Sequence, residues 1–185
     1  MKVYFIGSES SGKTTLARYT SNKLKLPMLT EVARTVLAER ELSVDNLRTN
    51  IDIVNSYQEE VFLRQIKEEN KITTGFVSDR SFDNLAYAAN YSTVFSKLIA
   101  SNECIEYIEK IKKEIESGET KIFFVRPCKS ILKNDGVRET VFWENAVAID
   151  AMIKMLTQLY DIKCIHIHKD SMQERVQLLE AVIGF

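Results

Sequence analysis

Short apolar runs alternate along this chain with longer stretches in which apolar residues return every three or four positions. Lys2-Val3-Tyr4-Phe5-Ile6 has the length and content of a short buried strand. Residues 13–24 carry Leu16, Ala17, Tyr19, Thr20 and Leu24 near helical spacing and predict the first helix. Pro27 ends that helix, and residues 27–30 suggest a short second strand. Residues 31–41 follow as a helix with Val32, Val36 and Leu37 on one stripe, and Ser43 and Asp45 are cap candidates beyond it. A long helix over 46–70 presents Leu47, Ile51, Val54, Tyr57, Val61, Phe62 and Ile66 as a broad apolar face. Residues 74–78 read as a third strand ending in Asp79-Arg80, with Ser81 capping a helix through about Asn90. One further helix is expected over 95–117, stopped by Gly118. The fourth strand is 121–125, the next helix 142–160 and the fifth strand 163–168. Ser171-Met172-Gln173-Glu174 opens the last helix in the manner of a capping box. Strands alternating with helices predict an α/β fold, a parallel sheet with right-handed crossovers.

Composition narrows the class without naming it. A chain of 185 residues, 45% apolar and 28% charged, suits one compact domain with a sheet covered on both faces. A formal net charge of −1 argues against a general nucleic-acid-binding surface, while leaving room for a local basic groove. The chain opens on a strand with no charged and apolar leader pattern, and no apolar run approaches a membrane span, so a cytoplasmic protein is expected. Cys104, Cys128 and Cys164 are far apart and lack metal-ligand spacing, and read as ordinary thiols.

The chemistry concentrates between the first strand and the first helix. Gly7-Ser8-Glu9-Ser10-Ser11-Gly12-Lys13-Thr14 fits G-x-x-x-x-G-K-[ST] in the strand–loop–helix context that this phosphate-binding loop requires, with Thr15 completing the cradle. Gly7 permits the sharp turn, and Gly12 lets backbone amides approach an oxyanion. The helix N-terminus behind them adds unpaired N–H groups and a positive dipole end. Lys13 is expected to reach the β- and γ-phosphates of ATP, and the Thr14 hydroxyl to ligate Mg²⁺.

Ligands of such sheets gather beyond the carboxyl ends of the strands. Asp79 is placed to orient the metal or serve an acceptor hydroxyl; the plain alternative is a helix cap. Arg80 beside it suits a phosphate, against a solvent salt bridge. Glu31 and Arg34, three apart, share a helix face and can meet one ligand, or simply pair with each other. Gln58, with Arg64 further along, reads either as a base reader or as a solvated helix face. Arg126, Lys129, Lys133 and Arg138 populate a polar segment, about 126–141, that predicts a lid closing cations over the transferring phosphate. The ordinary reading is a basic surface loop. His166 and His168 share a strand face without ligand spacing, and Trp143 is expected to pack at a helix start.

Taken in order, these pieces resemble the P-loop kinases, and more closely the AAA-type domain found in the nicotinamide-riboside kinase part of NadR-like proteins. The residues that carry the resemblance are 7–16, Thr30-Glu31-Val32-Ala33-Arg34, Ser78-Asp79-Arg80-Ser81 and Asn134-Asp135-Gly136-Val137-Arg138. The last is similar to that family's phosphate-facing lid. Asp79-Arg80-Ser81 also resembles the element of deoxynucleoside and thymidylate kinases whose acid serves the acceptor hydroxyl or metal. The resemblance implies a three-layer sandwich of strand order 2-3-1-4-5, ATP as donor and a nucleoside or nucleotide acceptor. The expected activity is therefore an ATP- and Mg²⁺-dependent kinase of a nucleoside or nucleoside monophosphate. Two rivals are a kinase acting on a hydroxyl of nucleic acid or a modified base, and a nucleotide-switch ATPase. The last wants an acidic pair after an apolar strand, where this chain has Arg126-Pro127.

Overall fold

Alternate residues of the central strands are buried on opposite faces of one sheet, which is what a period-two backbone with apolar residues at successive positions must do. The computed structural model describes residues 1–30, 32–43, 47, 49–131 and 143–184. Its strands are β1 (Lys2–Ile6), β2 (Met28–Leu29), β3 (Phe76–Ser78), β4 (Thr120–Val125) and β5 (Ile165–Ile167). They form one five-stranded sheet of order β2-β3-β1-β4-β5 in which every pairing is parallel. The order implied by the resemblance is the order observed.

The described helices are α1 (Lys13–Leu24), α2 (Val32–Glu39), α3 (Ile51–Asn70), α4 (Asn84–Tyr91), α5 (Phe95–Ile99), α6 (Asn102–Glu116), α7 (Trp143–Leu159) and α8 (Met172–Ile183). Tyr4, Ile6, Phe76, Ile122 and Phe124 face one layer, where they meet Phe62 of α3, Leu85 of α4, Tyr107 and Ile111 of α6, and Ile149 and Ile153 of α7. Val3, Phe5, Val77, Phe123, Val125 and Ile167 face the other, against Leu16 and Ala17 of α1 and Leu179 of α8. Each fully buried aromatic or aliphatic side chain here contributes about 2 kcal/mol by leaving water. Val32 and Val36 of α2 pack on Tyr57 and Val61 of α3 in a satellite cluster.

Several boundaries differ from the expected ones, each for a local reason. The helix expected over 95–117 is two helices, because Ser101 is extended and its hydroxyl accepts from Cys104 N–H at 3.2 Å, capping α6. The long helix starts at Ile51, where the Asn50 side chain accepts from the amides of Asp52 and Ile53; the expected start at Asn46 lies outside the described residues. The third strand begins at Phe76 rather than Thr74. Gly75 lies so close to the chain start that a Cβ would meet the Met1 carbonyl at 2.2 Å. The helix after β3 begins at Asn84, beyond the Ser81 expected as its cap. At α8, Ser171 does accept from Glu174 N–H, but the Glu174 carboxylate takes the Ser171 hydroxyl instead of reaching a backbone amide. No described helix is long and apolar enough to cross a membrane.

Candidate active site

The loop from Gly7 to Gly12 joins β1 to α1 at the carboxyl end of the sheet, beside the ends of β3 and β4. Both glycines are required by geometry. Gly7 has φ 152° and a Cβ there would stand 2.3 Å from the Val125 carbonyl oxygen. Gly12, at φ 92°, serves as the left-handed N-cap of α1, and a Cβ would meet Met172 Cε at 2.6 Å. No side chain caps α1 and no acid occupies its first turn, so its leading amides and positive dipole end stay available to an anion.

Lys13 is buried, with its ammonium donating to the Ser8 carbonyl at 2.5 Å. Burial, helped by the Arg80 charge, pushes its amine down to about 7, against the opposing pull of Asp83 and Asp79. Thr14 donates its hydroxyl to Asp79 Oδ2 at 2.6 Å, joining the loop to the end of β3. Hydroxyl and carboxylate oxygens side by side form a donor set that suits a hard cation. Among the described residues no group of three or more His, Cys, Asp or Glu is gathered to hold a metal unaided. A Mg²⁺ there would therefore take most of its ligands from nucleotide phosphates and water.

These groups open onto a cleft of about 760 Å³. One side is lined by Val32, Ala33, Arg34, Asp79 and Arg80, and the other by Ser130, Ile131 and Asp170 to Met172. Glu9, Ser10, Gly12, Lys13, Thr14, Thr15 and Arg18 form the floor between them. Lys13, Asp79, Arg80, Arg34 and the phosphate loop thus share one cavity. Glu31 lies outside the described residues, as do Lys133, Arg138 and the 134–138 segment.

Arg80 does more than line the cleft. Its guanidinium sits 4.2 Å from the centre of the Tyr87 ring and bonds to Asp83 Oδ2 at 3.3 Å. Asp83, fully buried, also accepts from Ser81 N–H at 2.7 Å and from Gly7 N–H at 3.3 Å. The Tyr87 hydroxyl donates to the Gly7 carbonyl. Burial alone would raise the Asp83 carboxyl, and Arg80 and Lys13 work to lower it. Arg80, Asp83 and Tyr87 together therefore clamp the first residue of the phosphate loop.

Other expected residues lie elsewhere. Arg126 is held by a bidentate ion pair with Asp150 of α7 and lies over the Phe124 ring, so its charge is engaged outside the cleft lining. Lys129 stands over the Trp143 ring at 5.2 Å, tying α7 to the segment after β4. Gln58 is buried on α3 away from the cleft lining, and Arg64 pairs with Glu39 and Glu60 on the outer surface. His166 and His168 stack on each other, with His166 also against Phe124.

Asp83, Glu69 and Arg175 are among the groups that the sequence left unmarked. Arg175 is fully buried and donates to the carbonyls of Lys169 (2.6 Å), Ser11 (2.7 Å) and Arg126 (3.1 Å). It thereby ties the phosphate loop to the ends of β4 and β5. A signal existed: Arg175 falls on the Met172–Val176–Leu179 stripe of α8, and Glu69 on the Phe62–Gln65–Ile66 stripe of α3. A charge on an apolar stripe must find buried partners.

The fold is shared by solved kinases at low sequence identity. A NadR protein solved in complex with NR superposes with TM-score 0.64 and 18% identity, over 99% of this chain and 51% of the other, so this chain spans about half of NadR. Deoxyadenosine kinase from M. mycoides, solved with dCMP and dCDP, gives 0.63 and 14% over 100% and 98% of the two chains. Shikimate kinase from Acinetobacter baumannii, in complex with shikimate, gives 0.56 and 11% over 99% and 93%. No curated protein sequence matches the chain. A family model described as an AAA domain matches residues 2–175, from the first strand to the arginine that ties the phosphate loop to β4 and β5. The chain accordingly belongs to this AAA domain family, and it is built on the P-loop kinase fold.

Proposed function

We propose that the protein is an ATP- and Mg²⁺-dependent kinase that phosphorylates a hydroxyl of a nucleoside or nucleoside monophosphate. The observation that carries the reading is the Thr14–Asp79 contact beside the buried Lys13, at the floor of a cleft with cationic and acidic groups on its β3 side. Phosphoryl transfer needs a cradle for the β- and γ-phosphates, an oxygen donor set at their edge, and an acceptor brought in line.

In this reading the loop amides and Lys13 hold the donor phosphates, with Thr14 and Asp79 beside them. Arg34 and Arg80 hold the acceptor. Its hydroxyl oxygen bonds to the γ-phosphorus as the bond from that phosphorus to the bridging oxygen breaks. The hydroxyl proton passes to a carboxylate, Glu31 or Asp79. Bound Mg²⁺ would supply charge neutralisation at the phosphate oxygens. The rate gain comes from positioning and from fixed charge in the cleft. Arg138 and the lid expected over about 126–141 would shield it from water.

The test is a panel of nucleosides, nucleoside monophosphates and small hydroxylated acids, shikimate among them, incubated with γ-labelled ATP and Mg²⁺. Label transferred to a nucleoside or nucleotide, and lost in the Asp79→Asn variant, is the expected result. Transfer only to a non-nucleoside, or to none of the panel, would overturn the assignment.

A further inference from the structure

Behind the cleft, the Glu69 carboxylate of α3 is sealed from solvent at 3% exposure. Its Oε1 accepts from Gln65 Nε2 at 2.8 Å and from the Tyr107 hydroxyl at 2.8 Å, and its Oε2 from the Tyr4 hydroxyl at 2.8 Å. A carboxylate in such a place is costly unless its hydrogen bonds do something that an apolar side chain would not.

Both donors to Oε1 lead on to the segment that carries Asp79. Tyr107 gives its proton to Glu69, so the Ser81 hydroxyl, 2.9 Å away, must donate to Tyr107. Gln65 Nε2 also reaches Ser78 Oγ at 3.2 Å and the Arg80 carbonyl at 3.4 Å, while Ser78 Oγ donates to that carbonyl at 2.7 Å. Residues 78, 80 and 81 flank Asp79 on both sides, and all three are attached to one carboxylate oxygen. Asp79 in turn meets Thr14 at 2.6 Å.

We propose that Glu69 is a positioning residue for Asp79: through Gln65 and Tyr107 it holds residues 78–81 so that the Asp79 carboxylate stays against Thr14. The proposal rests on reading Asp79 as a metal-orienting group. The working atom is Oε1, because among the described residues Oε2 accepts its hydrogen bond from Tyr4, which does not lead to residues 78–81. An amide in place of the carboxylate keeps an oxygen for Gln65 and Tyr107, while its NH₂ meets a Tyr4 hydroxyl turned to accept. The network therefore needs an acceptor at this point and not a charge.

The test is binding of a fluorescent ATP analogue to the intact chain, with Mg²⁺ and with EDTA, read as the factor by which Mg²⁺ tightens binding. Asp79→Asn is expected to cut that factor about tenfold, the scale for losing a group that orients a metal's ligands. Tyr107→Phe and Glu69→Leu should cut it about three- to tenfold and Glu69→Gln less than about twofold. The double variant Asp79→Asn/Tyr107→Phe should lose no more than Asp79→Asn alone. Tyr107→Phe removes one oxygen and keeps the packing, so the test stands even where Glu69→Leu does not fold. A lowered melting temperature in Tyr107→Phe with the Mg²⁺ factor at the wild-type level would reduce the network to a purely structural one and overturn the proposal. Multiplying losses in the double variant would overturn it too. An Asp79→Asn factor equal to wild type would instead remove the reading of Asp79, and the positioning role with it.

Discussion

Thr14 and Asp79 are 65 residues apart in sequence, and the hydroxyl of one donates to the carboxylate of the other at 2.6 Å. The contact bridges the first turn of α1, just past the loop after β1, and the end of β3, which are neighbours because β3 pairs directly with β1. Strand order thus delivers the acid to the phosphate loop. The same edge receives the Arg80–Asp83 pair, which holds Gly7 in place.

Lys13 should make nucleotide binding depend on pH. Burial, with Arg80 next, brings its amine down to about 7 in the free protein. Polyphosphate beside it favours the charged form and raises that value, so binding above about pH 7 draws in a proton. Affinity for ATP is then expected to fall as pH rises through about 7, and calorimetric enthalpies to differ between buffers of different ionisation heat. Lys13→Met should abolish that difference and lower phosphoryl transfer at least about 100-fold, with the far-ultraviolet spectrum of the folded chain retained. Equal enthalpies for the wild type in all buffers would refute the assignment.

Arg175 should matter to stability more than any exposed cation. Arg175→Leu leaves the carbonyls of Lys169, Ser11 and Arg126 without their charged donor in a buried place. The expected loss is roughly 3 kcal/mol, measured as a shift of the urea midpoint at constant slope. Arg64→Leu, which breaks a solvent-screened pair with Glu39 and Glu60, should move the urea midpoint far less by the same measurement.

Glu69 sets a second pH dependence, of the opposite chemical kind. Burial lifts its carboxyl from the ordinary 4.5 to about 7, with Gln65, Tyr107, Tyr4 and Lys110 pulling the other way. Between those values the folded chain holds a proton that the unfolded chain has released. The contribution is fully present below about pH 4.5 and lost as pH rises through about 7, on the order of 3 kcal/mol. Glu69→Gln cannot titrate, so the stability difference between variant and wild type should shift in the variant's favour across that window. Urea unfolding at about pH 5 and about pH 8 reads this directly; parallel curves would show that Glu69 keeps an ordinary carboxyl.

The phosphate loop was legible because its requirements are local. A strand, a left-handed glycine, a lysine and a hydroxyl opening a helix must all fall within one short stretch, and residues 3–16 contain them in order. The five strands and most helices were legible for a similar reason, since backbone period and burial on both sheet faces write themselves into the apolar pattern. The cap at Ser101 was the local signal that went unread, so one expected helix became α5 and α6.

The tertiary structure alone decided which charged residues face the cleft and which are spent inside the fold. Arg126, Arg34 and Arg80 are alike in sequence as cations near strand ends, yet Arg34 and Arg80 line the cavity while Arg126, paired with Asp150, is not in its lining. Asp83, Glu69 and Arg175 hold the site from behind through partners far along the chain, as Arg175 does with Ser11 across 164 positions. Hydrogen-bond partners of buried polar groups are chosen by packing and strand order, and neither is encoded in the residues next to them.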